Sequence, residues 1–167
     1  MNLQSWSVKI PDASNRFRIV LDGEAFLDKE TGLVWEMSPA LDTSGGTALA
    51  TSWHAAIVHA YSTEVGRRKG WRLPTIEELA SLVDSTQNKP SLPIKHPFVN
   101  VKWDDGYWSS TTCPPDIIMT GNTREFGEDT ALYVHFEFGQ VYFNAPKTGR
   151  HYVWCVRGGH GYDYNPD

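Results

Sequence analysis

The run GWRLPTIEELASLVD, residues 70–84, decides the fold class. Its Thr75-x-x-Glu78 spacing is a capping box, in which the hydroxyl accepts from the Glu78 amide and the carboxylate reaches back to the Thr75 amide. Ile76, Leu79, Leu82 and Val83 then supply a buried stripe, so the spacing predicts a short helix stopping near Asp84. Upstream, Ser52 is a plausible N-cap. Trp53, Ala56, Ile57, Ala60 and Tyr61 follow at i, i+3, i+4, i+7 and i+8, one face of a second helix that ends before Gly66.

Outside these two helices the pattern changes to period two. Phe17, Ile19 and Leu21 lead to Asp22-Gly23; Phe26 and Leu27 lead to the turn Lys29–Gly32; Leu33, Val34 and Trp35 follow, which is a hairpin or meander signature. Residues 38–50 are small and polar and read as a surface loop. Downstream, residues 85–130 are rich in Pro, Asn, Asp, Thr and Gly, with only YWSST at 107–111 strand-like. So long a loop in a compact domain commonly carries binding. Leu132, Val134, Phe136 and Phe138 then alternate with Tyr133, His135 and Glu137, turn at Gly139-Gln140 and return along 141–144. A last strand is expected over His151–Arg157, with 160–167 as a frayed tail. The order strands, helices, loop, strands predicts one α+β domain spanning 1–167, two short helices packed on an antiparallel sheet with a long irregular loop.

Composition sets the outer bounds. A chain of 167 residues is the length of one domain. It carries 40% hydrophobic and 21% charged residues and a net charge of -5. That balance gives no counterion-release drive toward nucleic acid, and no run of ~18 apolar residues is present to span a membrane. Trp, Tyr and Phe number seven each, which favours strand and loop over a helix bundle. The start, MNLQSWSVKIPDAS, lacks the basic and apolar regions of a signal peptide, an expectation of either a cytosolic chain or a trimmed mature form. Cys113 and Cys155 are open to two readings: a pair closing a long loop, or two buried thiols.

Five of these segments occur in one order: FLDKETGLVWEMS at 26–38, GWRLPTIEELASLVD at 70–84, YWSST at 107–111, ALYVHFEFGQVYF at 131–143 and YVWCVRGG at 152–159. Together with the helix from Trp53 they resemble the Legionella collagen-like protein C-terminal domain family, over residues 24–159. That is a bacterial family of largely uncharacterised function with a C-type-lectin-like fold. The resemblance implies a ligand-binding, non-enzymatic domain, secreted or surface-displayed, in a family whose adhesin members bind glycosaminoglycans. It also implies structural roles for Trp71, Arg72, Leu73 and Pro74, which lead into the capped helix with Thr75 and Glu78, for Trp108, Ser109 and Ser110 on an inner strand, and for Cys155, Arg157 and Gly158. Arg72 and Arg157 are expected to brace irregular backbone. Family members commonly carry a cysteine in the first helix, and AIVHAY at 56–61 has none. The stretch 113–130 looks longer than usual and is a candidate specificity device.

Binding candidates follow from patterning. Tyr133, His135 and Glu137 should face away from the core, with Tyr142 and Asn144 on the same outward surface, giving rings beside carboxylates and amides suited to a glycan or protein. Trp103 and Tyr107 flank the variable loop, and Asp104 and Asp105 beside Trp103 resemble the lectins' Trp-Asn-Asp calcium run. No Glu-Pro-Asn tripeptide accompanies them, and a solvated Asp-Asp-Gly turn accounts for them. The six histidines, His54, His59, His96, His135, His151 and His160, show no zinc spacing, so no metal or cofactor is expected. Arg67, Arg68 and Lys69 form the one basic run, read as a solvated helix end or a patch for a sulfated polysaccharide. Two rivals stand beside the ligand-binding expectation. One is an oligomer-assembly module with exposed aromatics. The other is an oxidase resembling the formylglycine-generating enzymes, whose RLPTEAEWE motif is only partly matched by RLPTIEEL and whose chemistry needs accessible, low-pKa cysteines.

Overall fold

The Asp22-Gly23 and Thr31-Gly32 signals do turn the chain. In the computed structural model, which describes residues 10–44, 46–113 and 129–158, they link β1 (Phe17–Val20), β2 (Ala25–Asp28) and β3 (Leu33–Glu36) into an antiparallel meander. Near the other end of the chain β9 (Val156–Gly158) adds to the free edge of β3, giving the order β1-β2-β3-β9. Every residue of β3 is buried, the pattern of a strand covered on both faces.

A second sheet holds β4 (Ala50–Thr51), β5 (Gly106–Thr112), β6 (Thr130–His135), β7 (Gln140–Pro146) and β8 (His151–Tyr152) in the order β4-β8-β5-β6-β7. All its pairs are antiparallel except β5 with β8, which are parallel. The fold is therefore α+β with two sheets, where the sequence suggested one. The single expected strand over 151–157 is split, because Val153, Trp154 and Cys155 turn wholly into the core between β8 and β9.

Both expected helices form. The first, preceded in the chain by an unanticipated turn of helix α1 (Ala13–Arg16), is α2 (Trp53–Ser62); it buries Ala56 and Ala60 but leaves Tyr61 74% exposed. The inward face is carried by Ala56 and Ala60 with Trp53 and Ile57 partly buried beside them, and Tyr61, about 100° further round the helix from Ala60, falls outside it. The capped helix α3 (Ile76–Ala80) has both halves of its box: Glu78 N–H to Thr75 Oγ1 at 3.3 Å and Thr75 N–H to Glu78 Oε2 at 2.7 Å. Leu82 is fully buried just beyond the helix end. Arg72 grips Glu78 with two bonds of 2.7 Å and donates to the Gly158 carbonyl at 2.9 Å, tying the start of α3 to β9. The YWSST strand completes it: Ser110 donates twice to the Pro74 carbonyl, and Thr111 Oγ1 accepts from the Ile76 amide.

Rings fill the core. Trp35, Trp71, Trp108 and Trp154 are fully buried, and Trp154 lies edge-on to Trp35 and Phe98. The indole N–H groups of Trp53, Trp71, Trp108 and Trp154 each donate to a backbone carbonyl, of Ser109, Arg68, Thr51 and Glu36. Such bonds let a large ring be buried without an orphaned donor. Two expected inward residues go the other way. Ile19 is 64% exposed because β1 buries Phe17 and Val20 instead, and Phe138 is 56% exposed because β6 ends at His135 and residues 136–139 form the hairpin turn.

Candidate ligand-binding face

At the start of β5 the turn Trp103-Asp104-Asp105 leads into Gly106, and the absence of a side chain there shapes everything around it. A Cβ on Gly106 would collide with the Tyr133 ring. Tyr133 of β6 therefore lies across β5 and stacks on His151 of β8, centroids 4.3 Å apart and planes within 16°. On its other side Tyr133 stacks on its cross-strand partner Tyr142 at 5.0 Å and 11°. Trp108 closes the stack edge-on against His151 at 4.5 Å. Parallel, offset rings of this kind add ~1 kcal/mol per pair beyond their burial.

Two carboxylates fix the turn. Asp105 Oδ1 accepts from the Gly106 amide and from His151 Nδ1, both at 2.6 Å. Asp104 Oδ1 accepts from the Tyr152 hydroxyl at 3.1 Å. Burial, with the Asp104 carboxylate beside it, pushes the Tyr152 phenol up to about 12. The Tyr133 phenol is raised as well, by burial and then by Tyr142 and Asp105. Both phenols are neutral, hydrogen-bonding groups near pH 7. Trp103 remains 42% exposed.

The structure thus brings Asp105, Tyr133 and Tyr142 together around His151, with Asp104 on Tyr152 and the exposed Trp103 leading into the same turn. His135 sits edge-on to Tyr142 at 6.2 Å and accepts from the Glu137 amide, while the exposed Asn144 lies two residues from Tyr142 on β7. Tyr107 is a correction: it is fully buried, and its hydroxyl accepts from the Lys102 amide at 2.8 Å, so it holds the turn from beneath. β5 is buried on both faces here, and Tyr107 lies on the face opposite Gly106 and Trp108, where its ring meets Phe136 and Trp154. Glu137 is half withdrawn as well, pairing with Lys89 at 3.4 Å and tying the hairpin to the long loop.

His151, Tyr152 and Gly106 are the residues that sequence reasoning missed as site components. His151 and Tyr152 belong to a two-residue strand whose parallel pairing with β5 leaves no local periodicity. The dipeptide Asp105-Gly106 could have marked a tight approach.

The remaining candidates lie elsewhere. Arg67 occupies the tip of a tight turn at φ 59°, with Val65 bridged to Arg68 and Gly66 packed on Leu21. The Gly66 amide donates to Glu24, and Lys69 pairs with Glu64. The basic run therefore sits against the β1–β2 turn and is not part of the aromatic face. Cys113 and Cys155 are buried free thiols, which decides between the two cysteine readings. Burial and the neighbouring Glu36 push the Cys155 thiol well up. Among the described residues no group of three or more His, Cys, Asp and Glu is placed to hold a metal ion. No helix among them is long and apolar enough to cross a membrane. His160, the tail 160–167 and most of the 113–130 stretch lie outside the described residues.

Arg72, the β5 strand and the β3–β9 pairing form one connected frame, and all of it but the last residue of β9, Gly158, lies inside residues 24–157, the span over which the Lcl C-terminal domain family model matches. The chain belongs to the Lcl C-terminal domain family. This is a bacterial domain family of largely unknown function. Within the Lcl C-terminal domain the candidate face is built from matched residues, whereas α1 and β1 precede the matched span. No curated protein matches the chain.

Proposed function

We propose that this Lcl C-terminal domain is a non-enzymatic module that binds a glycan at the face formed by Trp103, Asp104, Asp105, Tyr133 and Tyr142. In this proposal the domain has a C-type-lectin-like fold and works at the bacterial surface or outside the cell. The observation that carries it is the exposed Trp103 directly preceding two carboxylates in the turn, each held in place through its Oδ1. A ring supplies stacking area for the C–H face of a sugar, and a pre-oriented carboxylate accepts from its hydroxyls. Because the turn is already fixed by Tyr107, Tyr152 and His151, little ordering cost falls on binding. An oxidase role for the cysteines is disfavoured, since Cys155 is buried and its thiol raised, opposite to a reactive thiolate.

An oligosaccharide array read with the wild-type chain and with Trp103→Ala tests this proposal. Retention of glycans by the wild type and their loss with Trp103→Ala is the expected result. A wild type that retains none, or a variant that binds as well, contradicts it, and capture of a protein instead of any glycan does the same.

One observation favours a second reading, assembly. Among the described residues β7 is the terminal strand of its sheet, and its seven residues, QVYFNAP, carry no charge, leaving Pro146 at its end as their one edge-protecting side chain. Edge strands are ordinarily guarded by charged side chains. Pairing of two β7 edges would give a dimer whose mass depends on concentration.

A further inference from the structure

We infer that the ligand of the Trp103 turn is a neutral, hydroxyl-rich glycan, and that sulfated or uronate-bearing glycans are rejected there. The inference rests on the proposal that this face binds glycans, and concerns which kind.

Hydrogen-bonding direction is the first ground. The ionised carboxylates of Asp104 and Asp105 can only accept. The Tyr152 hydroxyl spends its proton on Asp104, and the Tyr142 hydroxyl spends its proton on Gln140 Oε1 at 2.6 Å. His151 faces Asp105 with Nδ1. What Asp104, Asp105, Tyr142 and Tyr152 have left to offer is lone pairs, and the donors on the same face, the neutral Tyr133 hydroxyl and the Trp103 indole N–H, are uncharged, so the matching ligand atoms are chiefly hydroxyls, which both donate and accept. A sulfate or carboxylate brings acceptors only, and against Asp104 and Asp105 would set lone pair against lone pair.

Charge is the second ground. Lys102 is the one cation in the run Lys102–Gly106, against two carboxylates. Arg150, next to His151, donates to the Ala50 carbonyl at 2.7 Å. Lys89, at the hairpin end, is paired with Glu137. The concentrated positive charge of Arg67, Arg68 and Lys69 is on the β1–β2 side of the molecule. Like-charge juxtaposition at an interface carries a penalty that rejects wrong partners. Stacking on Trp103 needs no charge, and a pyranose presents both the apolar face and the hydroxyl donors at once.

The experiment is an array of neutral oligosaccharides printed beside sulfated and uronate-bearing counterparts, probed with wild type, Trp103→Ala and Asp104→Asn. Asp104 is the safer carboxylate to alter, because among the described residues its side chain bonds the Tyr152 hydroxyl at the surface, whereas Asp105 holds both the Gly106 amide and His151, and unchanged thermal melting establishes that the variant is folded. The expected result is binding to neutral members alone, abolished by Trp103→Ala and weakened about tenfold by Asp104→Asn, the size expected for a charge-assisted hydrogen bond. Sulfated glycans that bind more tightly than neutral ones and are lost with Trp103→Ala would leave the face as a glycan site and overturn the ligand class. Sulfated glycans that bind equally well to Trp103→Ala, or an array with no binding at all, would overturn both.

Discussion

Glu36 shows how one residue can set the pH response of the whole chain. Its side chain is buried, its Oε2 accepts from the Cys155 amide at 2.8 Å, and burial raises its carboxyl from 4.5 to about 7. Between those two values the folded protein keeps a proton that the unfolded chain has released. Stability therefore falls as pH rises through this window, by roughly 3 kcal/mol in total, and levels off above it. Urea melts of wild type and Glu36→Gln at pH 5 and pH 8 should show this loss in the wild type and a much smaller one in the variant. Equal losses would contradict it. Gly106 makes a prediction of a different kind. Gly106→Ala should cost about 2 kcal/mol, because its methyl meets the Tyr133 ring. In a Tyr133→Ala background the same change should cost under ~1 kcal/mol, since the obstacle is gone. Thermal melts of the four combinations measure that coupling. At this scale the sequence was only partly legible: outward placement of Tyr133 and Tyr142 followed from alternation, but Tyr107 could not be placed inside without the register of β5.

Among the elements, α3 was the most legible and β8 the least. A capping box is contained in four residues, so its signal needs no tertiary partner, and Thr75→Ala should lower stability by ~1 kcal/mol in a denaturant melt. An unchanged midpoint would show that Arg72, not the cap, holds Glu78. The hairpin of β6 and β7 was legible for the same reason, apart from its turn, where Phe136 is buried and Phe138 is not. Long-range pairing is what local pattern cannot carry. β8 has two residues, joins β5 in parallel, and is decided by the burial of Val153, Trp154 and Cys155 behind it. The helix α1 was likewise unmarked, yet its Arg16 is buried and binds Asp28 with two bonds of 2.8 and 2.7 Å and the Ser81 carbonyl at 3.0 Å. At the sheet edge, the uncharged β7 strand bears on assembly. Sedimentation at low and high concentration should give one mass if β7 is a free edge, and a concentration-dependent dimer abolished by Tyr142→Lys or Asn144→Lys if it pairs.

Across the whole molecule the aromatic excess divides into two uses. Four buried indoles pin backbone carbonyls or pack the centre, and a smaller set, Tyr133 and Tyr142 with His151, stacks across the five-stranded sheet, with the exposed Trp103 in the turn that leads into β5. The family assignment was legible because its motifs are local, whereas the site is assembled from three distant segments, 103–106, 133–142 and 151–152, that only the fold brings together. The most direct measurement of the central claim is a 1H–15N NMR titration of the wild-type chain, following the tryptophan indoles, with a neutral hexasaccharide retained on the array. The indole signal of Trp103 should move with saturating dependence, while those of Trp53, Trp71, Trp108 and Trp154, each bonded to a backbone carbonyl, stay in place. A stationary Trp103 signal with shifts at Arg67, Arg68 and Lys69 would contradict the account.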